Sequence, residues 1–260
     1  MSCCPPSSWP GLQPPEGYKP KGIITKVSLK DHEGQDTQMN KYSVGNKDSK
    51  YCIYFNYDVF GLEGGRTKAM ADTLSEVCKC ECIILDVYLG DAAASDGSDI
   101  MDFLPKYSSS VVLPRYLAVL EKETRPICFL GTCWGAYASA FLTAKDVCPT
   151  AFGSVWWHPS TRAAGFYGED EMEITSKIVV PTSILAAEVD DPEQYHPGGA
   201  SITSLSKTAP GSECLPLAKG MNHGWTVRGD ISSHNVKEQV EKAVIHFKRF
   251  FGECKEKIDK

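Results

Sequence analysis

Ile127-Cys128-Phe129-Leu130 runs straight into Gly131-Thr132-Cys133-Trp134-Gly135, and the small residues Ala136, Ala138, Ser139 and Ala140 follow. A short apolar run bounded by glycine reads as a buried strand, and the small-residue stretch reads as a closely packed helix. The chain must therefore reverse direction around Cys133, and a glycine on each side lets the backbone do so without side-chain clash. The helix after the turn aims its first amides and the positive end of its dipole at the sulfur, which favours a thiolate. This strand, turn and helix form a nucleophile-elbow pattern with a thiol where serine is commoner, and they imply covalent catalysis at a carbonyl.

Order along the chain strengthens that reading. Residues 179–187 read as a strand that ends in Glu188-Val189-Asp190-Asp191-Pro192, and Ala218-Lys219-Gly220-Met221-Asn222-His223-Gly224-Trp225 sets a histidine in a glycine-flanked loop. Nucleophile, acid, histidine is the α/β-hydrolase order. His223 is then the candidate base, able to take the thiol proton, return it to a leaving group and activate water. A carboxylate should hold its tautomer, but local sequence does not separate Asp190 from Asp191, and either could simply cap a turn before Pro192. The backbone N–H of Trp134 is one expected oxyanion donor, with Val59 in the loop after the strand at residues 51–57 as the second. His158, in Trp156-Trp157-His158-Pro159-Ser160, also follows a strand but precedes the acid, so a structural or pocket-wall role is expected. His32, His196, His234 and His246 fit loops or an exposed helix face.

The rest of the chain supplies a matching scaffold. Residues 23–29 and 40–44 suggest a short antiparallel start, and 51–57, 82–87, 151–157, 179–187 and 214–218 read as further strands. Helices are expected at 65–76, at 114–122 opened by Pro114, and from Ser232 or Ser233, whose stripe carries Val236, Val240, Val244, Phe247 and Phe251. Alternating strands and helices predict one α/β domain over residues 22–253, with a mainly parallel sheet covered on both faces. A proline-rich arm at 1–21 and a tail at 254–260 flank it. Residues 90–110 read as an irregular segment, placed where a loop or small helical insert could rim a pocket.

With 42% apolar and 23% charged residues and a net charge of -6 in no long run, the chain offers nothing to nucleic acid or an anionic membrane. It has no 18-residue apolar stretch and no secretory leader, so its eleven cysteines are expected to be reduced in a cytoplasmic setting. Cys78, Cys80 and Cys82 alternate at strand spacing and read as core thiols; without a second Cys/His pair nearby, no metal and no cofactor is expected.

Taken together, these segments resemble the dienelactone hydrolases (carboxymethylenebutenolidases), over most of residues 22–251. The resemblance is carried by Asp58-Val59-Phe60-Gly61, Asp86-Val87-Tyr88-Leu89-Gly90-Asp91, Gly131-Thr132-Cys133-Trp134-Gly135, Trp157-His158-Pro159-Ser160, Ala187-Glu188-Val189-Asp190 and His223-Gly224-Trp225-Thr226-Val227-Arg228-Gly229. The last run and the Met-Ser-Cys-Cys-Pro-Pro start look most like the eukaryotic cytosolic branch. The resemblance implies an α/β-hydrolase fold with Cys133 as nucleophile, His223 as base, Asp190 as acid, and Trp134 and Val59 as oxyanion donors. It adds Asp58, where the family often has a glutamate that couples substrate binding to thiolate formation; a carboxylate bonded to nearby amides is the alternative. Tyr88 and Trp225 fall in matching segments and are candidates for the substrate wall.

One departure bears on substrate. Family members that act on dienelactone use arginine to grip a carboxylate after the strand that ends near Asp86, and this chain has Leu89. Arg228 could still meet an anion, or pair with Asp230 at the surface. The sequence thus points to a cysteine hydrolase of small esters or lactones, a monomer or homodimer. A non-catalytic ligand-binding or thiol redox-sensing protein is the alternative of another class, against which the intact His223 and Asp190 argue, and an acyl or thioester transferase would use the same residues as the hydrolase.

Overall fold

The computed structural model describes Ser8, Trp9 and residues 16–260. Most of the arm expected at 1–21, with Cys3 and Cys4, lies outside the described residues. Eight strands form one sheet: β1 (Ile23–Lys30), β2 (Asp36–Val44), β3 (Cys52–Asn56), β4 (Glu81–Leu85), β5 (Ile127–Cys133), β6 (Ala151–Pro159), β7 (Thr182–Leu185) and β8 (Glu213–Cys214). Their order is β1-β2-β4-β3-β5-β6-β7-β8. Only the β1–β2 and β2–β4 pairs are antiparallel.

The helices are α1 (Thr67–Cys78), α2 (Ile100–Phe103), α3 (Ser109–Leu120), α4 (Trp134–Leu142), α5 (Glu171–Ser176), α6 (Pro192–Tyr195), α7 (Ala200–Thr208), α8 (Trp225–Arg228) and α9 (His234–Ile258). Helix α1 packs on β4 and on α9, which covers β6; α4 sits on β3, β5 and β6 with α3 and α5 beside it. Strands β3, β4, β5 and β7 are buried at every position, as a parallel sheet covered on both faces requires. The residues that follow β3 to β7, and the loop before α8, gather at the carboxyl ends of the parallel strands, where such sheets build their sites.

Several elements differ from their sequence signals. Helix α3 begins five residues before Pro114, which lies inside it; burial of Val112, Tyr116 and Leu120 outweighs the one amide that proline removes. Cys78 ends α1 and Cys80 precedes β4, with Lys79 in a left-handed turn between them, so the three thiols share no strand. Burial still pushes Cys78 and Cys80 up to about 12, the chemistry of inert core thiols. Pro216 follows the two-residue β8, leaving Ala218 only a bridge to Ala187. Residues 90–110 hold α2, a short 3-10 turn (Leu104–Lys106) and the start of α3, in keeping with the small helical insert expected as one alternative there. Helix α9 continues past residue 254 to Ile258 with Cys254 buried, where a tail is expected.

His246 lies on the buried side of α9, not in a loop or on an exposed face; its Nε2 is 2.9 Å from both Ser183 Oγ and Glu213 Oε1.

Candidate active site

Strand β5 ends at Cys133, whose φ of 52° and ψ of -120° are strained for a residue with a Cβ. Helix α4 starts at the next residue. The strain persists because the turn cannot widen: a Cβ on Gly131 would lie 2.6 Å from Ala136 N, and one on Gly135 would lie 2.7 Å from Tyr57 O and overlap Asn56 O. Both glycines are thus fixed by close backbone approach, and Cys133 is held at the rim of the sheet under helix N-terminal amides.

His223 hydrogen-bonds Cys133 on one side and Asp190 on the other, with Nδ1 to Asp190 Oδ1 at 2.7 Å. An ionised carboxylate only accepts, so Nδ1 carries the proton and Nε2 is left to face the thiol. Burial opposes charge on His223, but Asp190 and the Cys133 sulfur, through charge and hydrogen bonds, together hold its imidazole well above the ordinary range. Asp190 is fixed in turn by Ala187 N–H, which donates to its Oδ2 at 2.7 Å. Asp191 is exposed and accepts from Glu193 N–H at the start of α6, so the geometry distinguishes the two carboxylates. The amide of Trp9 donates to the His223 carbonyl at 3.0 Å, joining the arm to this loop.

His158 ends β6 with a φ of 37° and meets His223 edge-on, their ring centroids 5.0 Å apart. Its Nε2 is 2.6 Å from Thr226 Oγ1, and burial, with the neighbouring His223, keeps its pKa well below the usual value. It is thus a neutral wall beside the base, not a competitor for its proton.

Asp58 and Arg228 form a buried ion pair, Nε to Oδ2 at 2.8 Å, and the guanidinium lies 4.6 Å from the Phe60 ring. Arg228 is therefore not on the surface with Asp230. Gly224, with a φ of 89°, makes this seat possible, because a Cβ there would overlap the guanidinium. Asp58 also accepts from Phe60 N–H at 2.9 Å. Burial raises its pKa and the Cys133 charge adds to that rise, while Arg228 opposes it. The Asp58 carboxylate near the thiol offsets the charge of Arg228, so this part of the site carries no net positive charge to draw an anion.

The opposite wall is aromatic. Tyr88 is buried against Tyr57, Phe103, Tyr107 and Trp134, with centroids 4.4–5.0 Å apart. Leu89, half-buried with a φ of 57°, follows Tyr88 and brings no charge to this wall. Val59 and Trp225 are fully buried. Ser160 is the residue that sequence reasoning passed over: it was visible only as the last letter of Trp157-His158-Pro159-Ser160, yet its Oγ stands 3.6 Å from Cys133 Sγ and 3.4 Å from His223 Nε2. Among the described residues no group of three or more His, Cys, Asp or Glu side chains could hold a metal ion, and no helix is long and apolar enough to cross a membrane.

No protein-family sequence profile matches the chain, and no curated protein sequence matches it. Solved structures do. A carboxyl esterase 2 from the fungus Tuber melanosporum is similar at 16% identity with a TM-score of 0.59, covering 94% of this chain and 91% of its own. A dienelactone hydrolase from Anabaena variabilis is 11% identical with a TM-score of 0.58, covering 86% and 96%. An esterase from Pyrococcus furiosus is 12% identical with a TM-score of 0.58, covering 93% and 99%. At these identities the likeness establishes the architecture: the chain has the α/β-hydrolase fold.

Proposed function

We propose that the protein is a cysteine hydrolase of small esters or lactones, similar in chemistry to the dienelactone hydrolases. The observation that carries the proposal is the continuous hydrogen-bonded line from Cys133 through His223 to Asp190 at a strained elbow. Esterases and dienelactone hydrolases among its structural neighbours support the substrate class.

In the proposed reaction His223 Nε2 takes the thiol proton and the sulfur attacks the carbonyl carbon. The oxyanion forms between the amides of Trp134 and Val59, the first of which opens α4 and has no partner within its helix. His223 returns the proton to the leaving alcohol, or to the ring-opened hydroxyl of a lactone. Water deprotonated by the same nitrogen then hydrolyses the thioester, while Asp190 stabilises the imidazolium at each transfer. Because Asp58 occupies Arg228 and Leu89 brings no charge, the preferred acyl groups are neutral.

The test is intact-protein mass spectrometry during turnover of p-nitrophenyl esters and small lactones, beside Cys133→Ala. A transient acyl adduct on Cys133, absent from the variant together with at least about a thousandfold of the activity, is expected. Wild-type turnover by Cys133→Ala on every ester hydrolysed would end the proposal.

A further inference from the structure

We propose that Ser160 is a catalytic residue whose hydroxyl donates a hydrogen bond to the sulfur of Cys133 whenever that sulfur carries charge. The inference rests on the reading of Cys133 as nucleophile and adds a role to a side chain outside the Cys-His-Asp line.

The first support is solvation. Cys133, His223 and Ser160 are all fully shielded from solvent. A thiolate formed there has no bulk water to bond, and an unsolvated buried anion is costly unless fixed donors replace the water. His223 is one such donor after it takes the proton. The Ser160 hydroxyl, 3.6 Å from the sulfur, is a second.

The second support is how the chain brings it there. Strands β5 and β6 pair in step from Cys128 and Gly153 through Thr132 and Trp157, then slip, so that Cys133 pairs with Pro159 and His158 is the extra residue. A bulge of this kind bends a strand and re-aims the side chains beyond it. Here His158 absorbs the bend at positive φ, and Ser160 N–H donates to the Cys133 carbonyl at 3.0 Å, which locks the serine to the elbow. Its oxygen also lies 3.4 Å from His223 Nε2, so the one hydroxyl touches both atoms whose charges change.

The charged and titratable groups around the sulfur make a donor useful. Asp58, at the end of β3, disfavours a nearby anion, although Arg228 of α8 balances it. Asp190 acts through His223, and His158 is neutral and turned to Thr226. Tyr88, after β4, brings a buried hydroxyl into the electrostatic reach of Cys133.

The proton balance is simple. The thiol proton passes to His223 Nε2, and Ser160 keeps its own proton while donating to the thiolate. On attack the sulfur–carbon bond forms and the charge moves to the carbonyl oxygen. In the second half water adds, the sulfur–carbon bond breaks, and Ser160 again donates to the departing sulfur. Both steps that place charge on sulfur are eased, and the serine is unchanged at the end.

The test follows alkylation of Cys133 by iodoacetamide against pH, located by peptide mass mapping, in wild type, Ser160→Ala and Ser160→Thr. Losing the donor should move the inflection up by about one pH unit, a tenfold slower reaction below it. Ser160→Thr, which keeps the hydroxyl, should stay within about threefold of wild type. On p-nitrophenyl acetate Ser160→Ala should lower kcat about tenfold with KM little changed. If Ser160→Ala does not fold, Ser160→Gly provides the variant without a hydroxyl. Superimposable profiles for wild type and the hydroxyl-free variant would overturn the proposal, as would an equal shift in Ser160→Thr, which would mark a packing role. Alkylation needs no ester, so a wrong substrate class leaves this test intact, whereas full turnover by Cys133→Ala defeats the parent reading alone.

Discussion

His223 has one nitrogen committed to Asp190 and the other turned to the sulfur, and that division of labour makes Asp190 measurable apart from its neighbour. An amide in place of the carboxylate can donate through its nitrogen and offers Nδ1 a weaker partner, so Asp190→Asn permits the tautomer in which Nε2, not Nδ1, carries the proton and cannot accept from the thiol. We expect kcat to fall on the order of 10³–10⁴-fold. Asp191→Asn removes only a carboxylate that accepts from Glu193 N–H at the exposed start of α6, and kcat should remain within about twofold. Steady-state kinetics of the two variants on one ester checks both. An equal loss in the pair would mean that the acid is not the residue bonded to His223.

At the scale of elements, the elbow is set by backbone contact more than by side chains. Gly135→Ala forces a methyl into the Asn56 carbonyl and against Tyr57 O, both part of β3 or the turn after it, so β3 and α4 would have to separate. Overpacking of this kind costs about 1–3 kcal/mol or more, and because neither neighbour is a flexible side chain we expect at least the upper part of that range. Urea unfolding of the variant tests it, and a loss below about 0.5 kcal/mol would show a looser turn. Those two glycines were legible in the sequence because their chemistry is local. Residues 51–57 and 127–130 announced their strands for the same reason, since a buried parallel strand is a plain apolar run. Pro114 misled because the packing of α3 tolerates a proline that local propensity would place at a helix start. Arg228 and His246 misled because burial of a polar side chain depends on a partner distant in sequence, Asp58 in one case and Glu213 in the other. Ser160 was illegible because its place beside the sulfur comes from a slip in strand pairing, which leaves no residue pattern.

For the whole molecule, buried histidines tie stability to pH. Burial lowers the pKa of His158 and of His246, and their neighbours only modify that effect. The unfolded chain binds protons at both positions near pH 6.5, while the folded chain resists them, so the stability they contribute is present above pH 6.5 and is lost as pH falls toward their folded values. His223 is raised, so its contribution runs in the opposite sense, present below pH 6.5 and lost as pH rises toward its folded value. Each excluded proton can contribute up to about 1.4 kcal/mol per pH unit. Burial raises the carboxyls of Asp58 and Asp86, which act in the opposite sense, but they are common to wild type and variants and cancel in the difference. His158→Gln, which can keep a polar contact to Thr226, should therefore be less stable than wild type at pH 7.5 yet lose less stability on going to pH 5.5, by about 1 kcal/mol. Urea unfolding at the two pH values measures this directly. Parallel loss in wild type and His158→Gln would mean that His158 takes up its proton inside the fold, which would place a second cation beside His223 and remove the reason for regarding it as a neutral wall.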